Sequence, residues 1–346
     1  MPQIVRPSTI PVAAETASPP PADARPTAPV ILACIDRSRP GREVLRRAAL
    51  LASAVGGRLV LMRVLDAQPG NDLPPDPVDW DLRRHEAACA LAALAERGGV
   101  QAEIALAQGR PADEICDEAI RRDAEYVVLG RFGEGFEDMG RVAGLGATAR
   151  SVLERAQEKV LLIAEGAAMA QEVGRILVPL DGSCWAESAL PTALRLARAT
   201  GAEVVLAHIV TSPEFVCPAP PEPDDMELLQ RIIDRNTRVA RGYLERQRTV
   251  LAEHGVVVRT RIIVGADARD RLLDLLRDEA FDLVVLSARG SGFRHLPGPD
   301  LGSVTAHLSL HSPTPLLVVR SDTDAARRRR EQRAHATASP DAAADT

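Results

Sequence analysis

Residues 30–65 (VILACIDRSRPGREVLRRAALLASAVGGRLVLMRVL) align without a gap on residues 175–210 (RILVPLDGSCWAESALPTALRLARATGAEVVLAHIV), at a constant offset of 145 positions. Asp36 falls on Asp181, Ser38 on Ser183, Ala48 on Ala193, Ala52 on Ala197 and Gly56 on Gly201. Self-similarity of this length marks a duplicated domain. The period far exceeds that of a solenoid repeat, so each copy is expected to bury its own core.

In both halves of that alignment an apolar run is followed by a helical pattern and a second apolar run. The first copy reads as strand 30–35, helix 41–55, strand 58–65, a Pro/Asp loop from Pro69 to Asp79 and helix 80–97. Strand 100–107, helix 111–122, strand 125–129, a Gly-rich loop 130–145, helix 146–156 and strand 159–164 complete it. The second copy repeats the order with strand 175–180, helix 185–199, strand 203–209, a Pro-rich loop 212–223 and helix 225–254. It ends with strand 256–264, helix 267–279, strand 282–286, a Gly/Pro loop 287–301, helix 302–311 and strand 315–319. Runs such as LVLMRVL (Leu59–Leu65) are short, apolar and bounded by Gly or charged residues, which argues strand. Over 186–199, Ala189, Leu190, Ala193, Leu194 and Ala197 share one helical face. Strands alternating with helices imply parallel sheets with right-handed crossovers. The expected fold is therefore α/β, two tandem doubly wound domains over 29–165 and 174–320. A disordered segment over 1–28 and a disordered tail over 321–346 are expected outside them, from their Pro/Ala and Ala/Arg/Asp composition.

Composition narrows the function classes. The 346 residues carry a formal net charge of −6, which argues against bulk electrostatic binding of nucleic acid. The basic run Arg327–Arg330 is short and lacks aromatic partners, so it reads as a solvated terminus. The five cysteines (Cys34, Cys89, Cys116, Cys184, Cys217) show no CxxC pairing, which points to a reduced, cytoplasmic setting and to burial as small hydrophobes. No apolar run reaches the roughly 18 residues of a membrane span, and the opening stretch has no secretory-signal pattern.

Ligands of open parallel sheets bind outside the carboxyl ends of the strands, at the topological switch point. In the second copy, strand one ends in Pro179-Leu180-Asp181-Gly182-Ser183, and a carboxylate there can accept from a ribose. Strand two ends in His208-Ile209-Val210, whose backbone could pair with an adenine edge. Strand four runs into Ser287-Ala288-Arg289-Gly290, and the loop closes at Gly302-Ser303-Val304-Thr305. Glycines let backbone N–H groups approach phosphate, and a helix start adds the positive end of its dipole.

The phrases LVPLDGSCWAESALPTALRLA, LVVLSARGSG, LGSVTAHL and HSPTPLLVV resemble those of the universal stress protein family, and the resemblance covers about 30–164 and 175–320. It implies five-stranded parallel sheets flanked by helices (adenine nucleotide alpha hydrolase-like). It also implies ATP as ligand, with Mg2+. Nucleotide-binding members carry Gly-x2-Gly-x9-Gly-Ser/Thr after strand four. Here Ser287 replaces the first Gly, and eleven residues separate Gly290 from Gly302. The resemblance implies adenine and ribose contacts from Pro179, Leu180, Asp181, Ile209 and Leu286. It implies phosphate contacts from Ser287, Gly290, Gly302, Ser303, Val304 and Thr305. In the first copy the matching positions are Asp36, Val64, Gly130, Gly133 and Gly146, with twelve residues between Gly133 and Gly146. Ala147 stands where the phosphate-binding hydroxyl belongs, and Glu134, Glu137 and Asp138 add negative charge, so binding is expected mainly in the second domain. The two copies are expected to pack as an internal pseudo-dimer through strands 159–164 and 315–319, covering edges that would otherwise be exposed. A homodimer of such chains and an unidentified protein partner are also compatible with the sequence.

Other motifs are weaker. His307 and His311 sit at i, i+4, but no Glu lies between them and no third zinc ligand follows. No Walker A or G-x-S-x-G motif occurs. Asp181, Ser183 and His208 do not make a hydrolytic triad, because Asp and Ser share one turn and His208 lies inside a strand. Trp80 and Trp185, near helix starts, read as packing residues. The leading expectation is a stress-response regulator that binds ATP without committed catalysis. The alternatives are a nucleotide-independent adaptor and a slow ATP hydrolase, for which His295 or Asp300 would have to activate water.

Overall fold

The computed structural model of the chain describes residues 28–37, 41–65, 77–133, 144–164, 172–212, 222–292 and 301–320. The segment 1–27, the tail with Arg327–Arg330, and Ser38, Glu134, Glu137, Asp138, Cys217, His295 and Asp300 lie outside the described residues. The first half contains β1 (Val30–Cys34), α1 (Gly41–Val55), β2 (Arg58–Leu65), α2 (Pro77–Arg97), β3 (Glu103–Gln108), α3 (Pro111–Arg121), β4 (Ala124–Gly130), α4 (Ala147–Arg155) and β5 (Lys159–Ile163). The second contains β6 (Arg175–Pro179), α5 (Cys184–Glu187), α6 (Leu190–Thr200), β7 (Glu203–Thr211), α7 (Pro223–Ala252), β8 (Val258–Gly265), α8 (Ala268–Asp278), β9 (Leu283–Ser287), α9 (Ser303–His311) and β10 (Leu316–Val319).

Each half forms five parallel strands, and the two sets join in one ten-stranded sheet of order β3-β2-β1-β4-β5-β10-β9-β6-β7-β8. The join is antiparallel, with Leu316 opposite Leu162, Leu317 opposite Leu161 and Val318 opposite Val160. Pairing β5 with β10 covers both inner edges. Because the join is antiparallel, the carboxyl ends of the two strand sets point to opposite edges of the sheet. The alternating faces of the strands build two apolar layers, and both cross the join. One gathers Leu161, Leu317, Ala48 of α1 and Ala193 of α6. The other gathers Leu162, Leu316, Val152 of α4 and Leu308 of α9. The helix over 185–199 is two helices, not one. Pro191 in the first turn of α6 cannot donate to Glu187 four residues back and its ring would clash there, so the chain breaks at Ser188. The Ser188 hydroxyl instead donates to Trp185 O at 2.6 Å. Helix α2 starts at Pro77, three residues before the expected position, because proline suits a first helical turn. The cysteines are not uniformly buried: Cys116 is buried and Cys34 half-buried, while Cys89 and Cys184 lie on exposed helix faces.

Candidate functional site

In the second half the chain runs from β6 outward through β7 to β8, then returns to β9 and β10 on the other side of β6. The switch point therefore lies between the carboxyl ends of β6 and β9. Leu180 N–H donates to Ala207 O at 2.8 Å, after which β6 turns away. Alternate residues of a parallel strand address the same neighbour. The N–H and C=O of Ile209 therefore face past the end of β6, away from β8, on the side where the β6 ladder has ended at Pro179 and Ala207. His208 Nδ1 donates to Leu180 O at 2.8 Å and so holds the turn.

Asp181 opens this turn. Its Oδ1 accepts from Ser183 N–H at 2.9 Å and from the Ser183 hydroxyl at 2.6 Å, and its Oδ2 accepts from Ser291 N–H at 2.6 Å. The Ser291 side chain also bonds to this carboxylate, so the two serines answer the roughly four lone-pair sites that a carboxylate offers. Desolvation alone would raise this carboxyl; the bonds from Ser183 and Ser291 outweigh it and hold the pKa below the ordinary value. Asp181 is exposed. Gly290 is the reason the loop comes this close: a Cβ there would lie 2.5 Å from Asp181 Oδ2.

The far wall is the start of α9. Gly302 N–H donates to Ala288 O at 2.8 Å, and the first intrahelical bond runs from Ala306 N–H to Gly302 O. The N–H groups of Ser303, Val304 and Thr305 precede that bond and have no intrahelical partner. The hydroxyls divide. Ser303 is exposed. Thr305, 3% exposed, turns inward and donates to Ser287 O at 2.8 Å. Ser287 is also buried, and its Oγ accepts from Arg289 N–H at 3.3 Å. Leu286 is buried with the half-buried Ile209 and Val304 in one apolar layer, and Leu180 is buried in the layer on the opposite face of the sheet. The expected contacts from Ser287 and Thr305 thus reduce to main-chain atoms, whereas Asp181, Gly290, Gly302, Ser303 and Val304 converge at the switch point beside Pro179.

The first domain repeats the frame at the β1/β4 switch point. Ile35 N–H donates to Met62 O at 2.8 Å, so Val64 takes the place of Ile209. Gly146 N–H donates to Arg131 O at 2.9 Å, and Arg150 N–H to Gly146 O at 2.9 Å. A Cβ on Gly133 would lie 3.2 Å from Asp36 Oδ2, less tight than the corresponding approach in the second domain. Gly130 ends β4 where Ser287 ends β9. Ala147 is exposed in the position of Ser303, and Ala149 replaces the buried Thr305.

Sequence reading missed two features, and a third, the His307/His311 pair, it noted without its surroundings. Arg289, 3% exposed, places its guanidinium 5.7 Å from the Trp185 ring centre and packs the loop against α5. Arg131 and Arg320 are buried, although each directly follows an apolar strand and reads as a strand-end charge. His307 and His311 stack with ring centres 4.6 Å apart, and His307 Nε2 lies 3.9 Å from Asp270. Among the described residues no group of three or more His, Cys, Asp or Glu could hold a metal ion, and no helix is long and apolar enough to cross a membrane.

Comparison with known proteins agrees with this architecture. A universal stress protein from Archaeoglobus fulgidus DSM 4304 matches with a TM-score of 0.62 at 18% identity, over 84% of this chain and 98% of its own. A protein of Pseudomonas aeruginosa UCBPP-PA14 described as a universal stress protein matches with a TM-score of 0.60 at 16% identity, over 88% and 97%. At these identities the likeness is one of fold. No curated protein matches the chain in sequence. The sequence profile of the universal stress protein family matches twice, over residues 29–164 and 172–320. Two matches over most of the chain settle its kinship: it belongs to the universal stress protein family.

Proposed function

We propose that the chain is a stress-response regulator that binds ATP, carried with Mg2+ on its phosphates, in the pocket of the second domain. Asp181 accepts a ribose hydroxyl in exchange for one of the serine hydroxyls that bond to it in the ligand-free chain. The main chain of Ile209 pairs with the adenine edge. Ser303 and the opening N–H groups of α9 receive the phosphates, where the helix dipole favours negative charge. The observation that carries this reading is the Asp181–Gly290–Ser291 lock. It fixes a carboxylate at the switch point and leaves no room for a side chain between carboxylate and loop. The first domain has Ala147 in place of Ser303 and so lacks the exposed hydroxyl, which makes its pocket the weaker one. Domain limits of 29–165 and 174–320, a cytoplasmic location and action through occupancy rather than turnover belong to the same proposal.

The variant pattern tests it. Displacement of a fluorescent adenine nucleotide by MgATP should be lost in Asp181→Ala and Gly302→Val and kept in Gly146→Val. Loss in Gly146→Val alone would move the site to the first domain. No binding in any form would leave the nucleotide-independent adaptor.

A further inference from the structure

Two buried arginines cross the join between the domains. Arg131, 7% exposed, follows β4 in the first-domain loop, and its guanidinium donates to Leu310 O at 3.5 Å and to Ser312 O. Those carbonyls end α9, whose first residues line the second-domain pocket. Arg320, 6% exposed, follows β10, and its guanidinium donates to Leu153 O and to Glu154 O at 3.4 Å. Those carbonyls end α4, which starts at the first-domain pocket beside Gly146. Burying a guanidinium costs several kcal/mol unless polar partners answer it. Here the negative ends of two helix dipoles answer it.

The main chains of the same arginines adjoin the loops of their own domains. Arg131 O accepts from Gly146 N–H at 2.9 Å, and its N–H donates to Ile163 O at 3.0 Å. Val319, next to Arg320, accepts from Ala288 N–H at 2.7 Å. The matching bonds Arg131 N–H to Ile163 O and Ala288 N–H to Val319 O make Arg131 the counterpart of Ala288, and Arg320 the counterpart of Ala164. Each arginine is therefore present in one copy only. The antiparallel join puts the two pockets on opposite sheet edges, and each nine-residue helix, roughly 13 Å long, runs from one edge toward the other.

We infer that Arg131 and Arg320 are positioning residues that couple the two pockets. A shift in the second-domain loop passes through Val319 and Arg320 to the end of α4 and so to Gly146. A shift in the first-domain loop passes through Arg131 to the end of α9 and so to Ser303. The inference rests on the nucleotide reading for what moves the loops, but the mechanical link stands apart from it.

Hydrogen exchange on the full chain separates the two. Without ligand, Arg131→Met should speed exchange in 303–312 and Arg320→Met in 147–156, each by roughly tenfold, the loss expected for a charged hydrogen bond. Helix α7, which packs on β7 and β8, should be unchanged, and Arg131→Lys, which keeps the charge, should fall between. With MgATP, the wild type should slow in 288–292 and 302–306 and also in 147–155. Arg320→Met should keep the first change and lose the second, which a merely structural arginine would not produce. Unchanged ligand-free exchange in both Met variants overturns the coupling. So does a wild type protected in 302–306 with no change in 147–155. Absence of any MgATP protection overturns the nucleotide reading instead, and the ligand-free comparison still decides the link.

Discussion

Adding one methyl group at Gly290 separates the site geometry from the rest of the fold. Gly290 is not among the glycines with positive φ, so alanine meets no backbone strain there. Its Cβ, however, would lie 2.5 Å from Asp181 Oδ2 and 3.6 Å from Asp181 Cγ, closer than carbon and oxygen can sit. The carboxylate must swing away, and the 2.6 Å bond from Ser291 N–H breaks. Hydrogen bonds to charged groups contribute about 1.5–3 kcal/mol. Asp181 is exposed, so water recovers part of this and the loss falls at the low end, about 1.5 kcal/mol. At about 2–4 °C per kcal/mol for a domain of this size, Tm should drop by about 3–6 °C. The pKa of Asp181 is depressed in the folded state. Its contribution is therefore present above the unfolded value of about 3.9 and lost as pH falls through the folded value. Urea unfolding of Gly290→Ala should show the full deficit at pH 7 and a smaller one at pH 3. Gly292→Ala is the control, since a Cβ there meets nothing within 4 Å and its φ is not positive, so stability should be unchanged. A Gly290→Ala protein as stable as wild type at pH 7, or equally deficient at both pH values, would refute the lock.

Two further outcomes follow from the packing. Leu317 is fully buried at the β5–β10 join, so Leu317→Ala should cost about 2–5 kcal/mol and lower the unfolding of both domains in one transition by calorimetry; a melt in which one domain keeps its wild-type Tm would contradict a shared core. Burial pushes the Cys34 and Cys116 thiols up, Cys116 to about 11. Maleimide at pH 7 should therefore modify Cys89 and Cys184 first by peptide mass spectrometry, and native-state labelling of Cys116 at the rate of Cys89 would contradict the packing of α3.

The duplication made most of the architecture legible, because each strand end could be checked against its copy. The switch-point residues followed from strand order alone: Asp181 ends one inner strand, Gly290 follows its neighbour, and Gly302 starts the returning helix. What the sequence could not convey was direction. Thr305 and Ser287 look like ligand hydroxyls in one dimension, yet a helix turn rotates Thr305 onto β9. Pro191 did announce the break between α5 and α6, but the apolar face running through it masked the signal. Arg131 and Arg320 were unreadable for another reason. Their partners are main-chain carbonyls 179 and 167 residues away, which carry no side-chain signature. A charged residue standing where its duplicate has alanine is the one trace the sequence retains.

The most direct measurement is calorimetric titration of MgATP into the purified full chain, after stripping and identifying any nucleotide that copurifies. The account predicts saturable binding at about one site per chain, with adenine nucleotides preferred over guanine nucleotides because the Ile209 main chain reads the base edge. An absence of heat at millimolar MgATP, together with no copurified nucleotide, would contradict it.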